Sequence, residues 1–230
     1  MDSFRIFFLG HSGFLMELSD CVLIFDAYKD PAHVTEKFLN GEKPVYVFVS
    51  HEHGDHFNPK IYRWADQVAG YFVYQDCAPH QALPQVHLME PGDECSTEKF
   101  SVHMYGSTDA GGSFFLRHGD RTIFHAGDLN WWHWAGENDE ENEEARAMYF
   151  QELERMRGLS ADVAFFPVDA RQEVAREWGV REFLAQVPVK ELLVAMHAFG
   201  SRWCPSYAFR WRWGSVPLWI PEKEGDDLVK

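Results

Sequence analysis

The stretch SHEHGDHF, residues 50–57, places three histidines and two acids within six consecutive positions. It directly follows VYVFV, residues 45–49, an apolar run that is typical of a buried strand. A polar loop with solvated histidines would explain a lone His-x-His pair. The full pattern His-x-His-x-Asp-His at the end of such a run favours a metal site instead.

The spacing of this motif predicts how it binds metal. Side chains alternate along a strand, so we expect His51 and His53 to point to the same side and to share one ion. Gly54 permits a turn, which would bring Asp55 and His56 toward a second ion. The motif therefore predicts two neighbouring cation sites.

Composition limits the class of protein. The chain has 230 residues, of which 46% are apolar and 16% aromatic, enough for one domain spanning residues 1–230. Its formal net charge of -15 gives no attraction to nucleic acid or to an anionic membrane. The four cysteines are scattered without a CxxC pair, which favours a reducing, cytoplasmic setting. Neither a signal peptide nor a membrane-length apolar run is evident, so we expect no membrane association.

Short apolar runs separated by turn residues predict strands through the first half of the chain. These runs lie at 4–10, 13–18, 21–26, 44–50, 71–74, 100–105, 113–118 and 121–126. A helix is predicted between Asn138 and Gly158, with acids at its start and arginines at its end. A strand, a helix and a strand follow at 162–168, 172–186 and 191–196, which predicts an α/β protein of sheets covered by helices. Residues 201–230 are left as an unassigned C-terminal extension.

Five stretches together resemble the metallo-β-lactamase-fold hydrolases, closest to the branch that includes the sugar-phosphate lactonases. They are SHEHGDHF, LGHSGFLMEL near the start, LIFDAY after the third predicted strand, IFHAGDLN at 123–130 and LLVAMHAF at 192–199. The resemblance implies a four-layer αββα sandwich. It also implies two divalent metal ions as cofactors, zinc first, with manganese or iron as alternatives.

The family's metal ligands can be carried over residue by residue. The resemblance implies His51 and His53 for the first ion, and Asp55, His56 and His197 for the second. Asp128, in AGD just past the strand at 121–126, takes the position of the carboxylate that bridges both ions. Spacing alone shows only that these motifs lie at strand ends. Taken singly, Asp128 could be a turn-capping acid and His197 a core histidine.

One expected ligand is missing. Most family members have a third histidine for the first ion between the first motif and Asp128, but this chain reads HMYGSTDAGGSFFL at 103–116. Asp109 is the best substitute, because a carboxylate oxygen can replace an imidazole nitrogen and would make the site better suited to manganese or iron. A loop aspartate near two glycines explains Asp109 equally well, and a one-metal protein is a third alternative.

Four further residues are candidates for contacts with substrate or with the ligands. His11, in GHSG, lies near the site by resemblance, where it could hydrogen-bond a ligand or the substrate. Asp169 is preferred as the N-cap of the helix that follows it, with a contact to a metal ligand as the alternative. Trp131 and Trp132 follow the bridging acid, where they either select the substrate or cap the core.

The resemblance implies a hydrolase in which a metal-bridging hydroxide attacks a small ester, lactone or phosphate ester. Two ions lower the pKa of a water from about 15.7 toward neutrality, and Asp55 or Asp128 would pass the proton to the leaving group. The missing histidine leaves open a non-catalytic or mononuclear metal-binding or sensing protein. A nucleic-acid phosphodiesterase has support only from SRWCPSYAFRWRW at 201–213, against the acidic total charge. The expected partner is a small-molecule substrate rather than nucleic acid or membrane, and a homo-oligomer stays open.

Overall fold

The computed structural model describes residues 2–230, which build two seven-stranded sheets packed face to face. The first sheet consists of β1 (Arg5–Gly10), β2 (Gly13–Glu17), β3 (Val22–Phe25), β4 (Val45–Val49), β5 (Val68–Tyr74), β6 (Val86–Met89) and β14 (Asp227–Val229). The strands lie in the order β14-β1-β2-β3-β4-β5-β6. Pairing is antiparallel from β14 to β3 and parallel from β3 to β6.

The second sheet repeats this division. It consists of β7 (Glu94–Ser96), β8 (Ser101–Gly106), β9 (Gly112–His118), β10 (Arg121–His125), β11 (Ala161–Pro167), β12 (Val189–Met196) and β13 (Leu218–Trp219). The order is β13-β12-β11-β10-β9-β8-β7, antiparallel from β7 to β10 and parallel from β10 to β13. Each sheet therefore has one parallel half, whose carboxyl-terminal strand ends are a common place for binding sites.

Aromatic side chains fill the space between the sheets. Phe14 and Phe25 of the first sheet pack on Phe165 of the second, with ring centroids 4.8 and 5.8 Å apart. Phe48 meets Phe114 at 5.5 Å. All five rings are fully buried, and β4 and β11 are buried along their whole length. Strands covered on both faces read as continuous apolar runs, which is why the sequence pattern located them.

Helices cover the outer faces. On the first sheet lie α1 (Val34–Leu39) and a 3₁₀ turn at Pro59–Trp64. On the second lie α2 (Asp139–Arg155) and α3 (Trp178–Gln186), where Phe183 of α3 stacks on Phe124 at 4.9 Å. The predicted four-layer αββα sandwich is confirmed. In residues 2–230, no helix combines the length and apolar character needed to cross a bilayer.

The predicted elements differ from the structure mainly where elements are short. The helix predicted at 172–186 is a 3₁₀ turn at Ala170–Ala175 followed by α3. The sequence pattern missed α1, β6 and β7, which span three to six residues and offer too little periodicity to detect. Residues 201–230 contain α4 (Tyr207–Trp213), β13 and β14, so this segment adds one edge strand to each sheet.

Gly111 is required where the loop before β9 crosses the end of β4. Its φ is +61°, and a Cβ at this position would overlap the carbonyl oxygen of Ser50. The neighbouring N–H of Gly112 donates to that same oxygen at 3.1 Å. The loop that carries Asp109 is therefore fastened to the strand end that carries the histidine motif.

We predict that Gly111→Ala lowers the free energy of unfolding more than Gly119→Ala does. Gly119 has a similar φ of +55° but open space around it, so its substitution adds only backbone strain of about 1–2 kcal/mol. Gly111→Ala adds steric overlap to this strain, which lowers the free energy of unfolding by about 1–3 kcal/mol more. Urea unfolding of both variants measures the difference. Equal decreases in the free energy of unfolding would show that the overlap with Ser50 does not destabilise the protein.

Candidate metal centre

Loops at the carboxyl ends of three strands bring three buried histidines around the carboxylate of Asp128. Asp128 Oδ2 lies 3.6 Å from His51 Nε2. Its Oδ1 lies 3.1 Å from His56 Nε2 and 3.4 Å from His197 Nε2. The segments that follow β4, β10 and β12 therefore converge on Asp128, although they are far apart in the sequence.

Three of the atoms that face one another in this cluster lack hydrogen bonds. Among the residues described, Nε2 of His51, Nε2 of His56 and Oδ1 of Asp128 are buried without a partner. Buried polar atoms in proteins are nearly always paired, so three unpaired atoms at one place indicate a missing ligand. Imidazole nitrogen and carboxylate oxygen are the donors that a divalent cation takes. The residues present thus fit a metal ion.

The donors fall into two groups, in each of which one donor atom per residue lies within 4.8 Å of every other. The first group is His51, His53 and Asp128, and the second is His11, Asp55, His56 and His197. The second group contains His11 in addition to the three residues that the family resemblance implied for the second ion. Asp128 contacts members of both groups, as a bridging carboxylate requires.

The sequence predicted that strand alternation directs the side chains of His51 and His53 to the same side, and this prediction is wrong. β4 ends before Ser50, so both histidines lie in a loop. Ser50 leaves the strand because its N–H and its hydroxyl donate to the carboxylate of Asp26, at 2.8 and 2.7 Å. A turn then joins His56 N–H to the carbonyl of His53 at 2.9 Å. This loop places the rings of His51 and His53 4.6 Å apart.

Asp26, in the LIFDAY stretch, has a role that sequence reasoning missed. The carboxylate is fully buried, and its Oδ2 lies 2.8 Å from His56 Nδ1. Ser50 Oγ, which Asp26 holds, lies 2.9 Å from His51 Nδ1. Burial opposes ionisation of Asp26, but His56 outweighs burial and lowers the pKa of the carboxyl. These contacts fix the outer nitrogen of each ring and leave its Nε2 free for a cation.

Asp169 lies beside the outer nitrogen of His197, in an ion-pair contact rather than the hydrogen bond that joins Asp26 and His56. Its buried Oδ2 lies 3.1 Å from His197 Nδ1, and its Oδ1 accepts the backbone N–H of Arg171 at 2.8 Å. The cap and the contact with a candidate ligand, which the sequence left as alternatives, occur together. Against the effect of burial, His197 and Arg171 lower the pKa of Asp169 to about 2.

The acids around the cluster create a strong negative potential. Burial works against a charged His56, but Asp128 and Asp26 outweigh it and raise the pKa of His56 to about 10. Asp128 and Asp169 likewise overcome burial and raise the pKa of His197 to about 9. Asp128, despite burial, has its pKa held well below the usual value by these two imidazoles. Positive charge, from protons or from cations, is needed to balance the cluster.

The other predicted ligands lie toward solvent. His53 and Asp109 have side chains 47% and 50% exposed, and Nδ1 of the histidine lies 3.8 Å from Oδ2 of the aspartate. Asp109 therefore sits beside the first donor group but is not a member of it. Asp55 lies 3.3 Å from Nε2 of His11. Burial, with His197 and His56 nearby, lowers the pKa of His11 to about 3.

A cavity of about 430 Å³ opens onto the cluster. Trp132 lines it, stacks on Trp134 at 5.6 Å and donates its Nε1–H to the carbonyl of Asp128 at 2.9 Å. Trp131 turns the other way, and its ring packs against Phe150 at 5.3 Å. Of the two predicted tryptophans, Trp132 faces the cavity and Trp131 packs against α2.

Two cavity residues had no direct signal in the sequence. Arg171 places its guanidinium 3.6 Å from the ring centroid of Phe199, and Nε and Nη2 bind the carboxylate of Asp169. Both line the cavity. The signal that could have found them is spacing, because each lies two positions after a predicted site residue, Asp169 and His197 respectively.

The chain belongs to the family described as the beta-lactamase superfamily domain, whose profile matches residues 5–178. A "UPF0173 metal-dependent hydrolase" from Desulforamulus reducens is 29% identical over an alignment of 143 residues that covers 54% of this chain and 61% of that protein. The chain thus spans about three fifths of the length of the curated relatives it matches. Family membership implies divalent metal cofactors, which agrees with the unpaired donor atoms of the cluster.

Solved structures confirm the fold. The metallo hydrolase Igni18 from Ignicoccus hospitalis superposes with a TM-score of 0.67 at 15% identity, covering 100% of this chain and 99% of the other. The metallo-beta-lactamase fold protein YhfI from Bacillus subtilis gives a TM-score of 0.61 at 13% identity, with 100% of each chain covered. At these identities the likeness concerns the fold, which is that of the metallo-β-lactamases.

We predict that Asp26→Asn weakens metal binding by about 10–100-fold, the usual cost of losing a carboxylate that orients a ligand histidine. An amide offers one acceptor where the carboxylate serves Ser50 and His56 together. Asp162→Asn is the matched control, because Asp162 is equally buried and is bonded to Thr122 on the second sheet. Competition with a chromogenic chelator measures the affinities, and equal affinities in the two variants would contradict the role given to Asp26.

Proposed function

We propose that this protein is a metal-dependent hydrolase that uses two divalent ions on a small ester, lactone or phosphate ester. The observation that carries the proposal is the set of buried, unpaired donor atoms of His51, His56 and Asp128, together with the cavity that Asp128 lines. Membership of the beta-lactamase superfamily and a relative named as a metal-dependent hydrolase support the reaction class.

The proposed ligand sets are those that the family resemblance implied, with Asp109 in place of the missing histidine. The first ion is assigned to His51, His53 and Asp109, and the second to Asp55, His56 and His197, and Asp128 would bridge the two. Zinc suits the imidazole nitrogens best, and manganese or iron become alternatives where Asp109 adds a carboxylate. Two ions held in this way would supply hydroxide at neutral pH and polarise the oxygen of the bond under attack.

The chain's own residues position the reaction. Asp26 hydrogen-bonds the outer nitrogen of His56, and the Asp169 carboxylate lies 3.1 Å from that of His197, which favours the ring orientations that face the centre. Asp55 lines the cavity with a side chain 43% exposed, which places it to accept a proton and pass it to the leaving group. Trp132 covers the centre from one side and excludes water there.

The cavity favours a small organic substrate. Its volume of about 430 Å³ lies within the usual range for small-molecule sites. The stacked rings of Trp132 and Trp134 give an apolar wall, and Arg171, held by Asp169, gives a fixed positive edge for an anionic group. A phosphorylated lactone, the substrate class suggested by the lactonase resemblance, combines these features. A polyanionic nucleic acid would meet a chain of net charge -15.

We predict that Asp128→Ala reduces hydrolysis to background and weakens binding of both ions, because Asp128 contacts both donor groups. Protein reconstituted separately with zinc, manganese and iron is assayed on a panel of esters, lactones and phosphate esters, with Asp162→Asn as the control. Parental activity in Asp128→Ala would overturn the dinuclear centre. A metal-loaded parent that turns over no substrate would favour the metal-binding or sensing alternative.

We predict that Asp109→Ala contains fewer metal ions per chain than the parent, which should contain two. Elemental analysis measures this on protein purified without chelators or a metal-affinity column. Asp120→Ala, in the exposed turn between β9 and β10, should keep both ions. A parent that contains one ion or none would show that Asp109 does not replace the missing histidine. Equal metal contents in the parent and in Asp109→Ala would show the same.

A further inference from the structure

His11 lies in the turn between β1 and β2, and its ring enters the second donor group. Its Nε2 lies 3.3 Å from Asp55 Oδ2. Its ring centroid lies 4.0 Å from that of His197 and 5.4 Å from that of His56. One donor atom from each of these four residues lies within 4.8 Å of the others. His11 is thus as much a member of the group as the three ligands proposed for the second ion.

The ring of His11 shares a property with His51 and His56, two of the proposed ligands. Its side chain is 10% exposed, and Nε2 is buried with no hydrogen-bond partner in the described chain. Nε2 of His51 and Nε2 of His56 have this same property. By contrast, the buried His125, which belongs to neither donor group, has its Nε2 2.9 Å from the carbonyl of Ser12. The unpaired nitrogen therefore separates His11 from a packed core histidine.

The backbone holds His11 in place together with His197. Both residues have left-handed φ angles, of 55° and 51°, and the N–H of His197 donates to the carbonyl of His11 at 3.2 Å. The turn is also pressed onto the end of β3, since a Cβ at Gly13 would lie 2.9 Å from the carbonyl oxygen of Asp26. Left-handed backbone is unfavourable for residues with side chains and persists where surrounding contacts fix it.

The simpler role for His11 is to donate a hydrogen bond to Asp55 and so orient that carboxylate. The 3.3 Å contact between them lacks hydrogen-bond geometry, and Nε2 is left unpaired. A role limited to Asp55 also gives no reason for the ring to lie against His197 and His56. Coordination of one cation explains both observations.

We propose that His11 is a direct ligand of the second metal ion, an inference that rests on the proposed metal centre. The second ion then has three imidazoles, His11, His56 and His197, with carboxylates from Asp55 and Asp128. The first ion has two imidazoles and a larger share of oxygen donors. Zinc and the transition metals next to it bind more tightly to imidazole-rich sites than to oxygen-rich sites. The two sites should therefore differ in their affinity for such an ion, and the second site should fill first.

Titration of the metal-free full chain with Co²⁺, in competition with a chromogenic chelator, tests this inference with His11→Asn. Asparagine accepts left-handed backbone and can hydrogen-bond Asp55, but it does not replace an imidazole ligand. The parent should bind two ions with unequal affinities. His11→Asn should weaken the tighter one by more than about 100-fold, beyond the loss expected for an orienting residue. His103→Asn, on β8 beside Tyr105, should leave both affinities unchanged.

A second measurement reads the bond directly. NMR of the cadmium-loaded parent with labelled histidines should show scalar coupling between cadmium and the ring nitrogen of His11, whether or not the protein hydrolyses any substrate. Coupling in an inactive protein would keep this inference and overturn the proposed hydrolysis. Absence of coupling at His11, or parental affinity for both ions in folded His11→Asn, would overturn the inference. A parent that binds no ion would overturn both proposals.

Discussion

The candidate metal centre depends on the hydrogen bonds of one buried carboxylate, that of Asp26. It accepts the N–H and the hydroxyl of Ser50 and lies 2.8 Å from the ring of His56. A buried ionised group is costly unless every partner stays in place, and hydrogen bonds to it are stronger than neutral ones. Asp26 therefore fixes where the chain leaves β4, and that exit point sets the direction of His51 and of the turn that follows.

The residues around the candidate metal centre have strained backbone conformations. His11, Asp26 and His197 all have positive φ angles, between 43° and 55°, each worth about 1–2 kcal/mol of strain for a residue with a side chain. A regular strand would send neighbouring side chains to opposite faces and could not turn these three toward one point. The core of packed aromatic rings between the sheets supplies the stability that lets the loops keep these conformations.

The sequence could predict those parts of the molecule in which local pattern and structure agree. β4 and β11 are continuous apolar runs, and the histidine motif and Asp128 follow strands directly, so the fold and most of the cluster were accessible. Asp26 and His56 are 30 positions apart, and no local sequence pattern predicts the contact between them. The two-residue strand β13 exists only through its pairing with β12. Such features depend on tertiary packing, which a single sequence does not display.

The two sheets make equivalent contributions to the centre. In the first, Asp26 follows β3, and the histidine motif follows its parallel neighbour β4. In the second, Asp169 follows β11, and His197 follows its parallel neighbour β12. Parallel strands end at the same edge, so each sheet sets an acid beside the outer nitrogen of a histidine.

Asp128, after β10, then lies between the histidines from the two sheets. Neither sheet alone completes the donor set. A cation bound there would therefore be coupled to the packing of the sheets, since it would bind the sandwich more tightly than any state in which the sheets have separated.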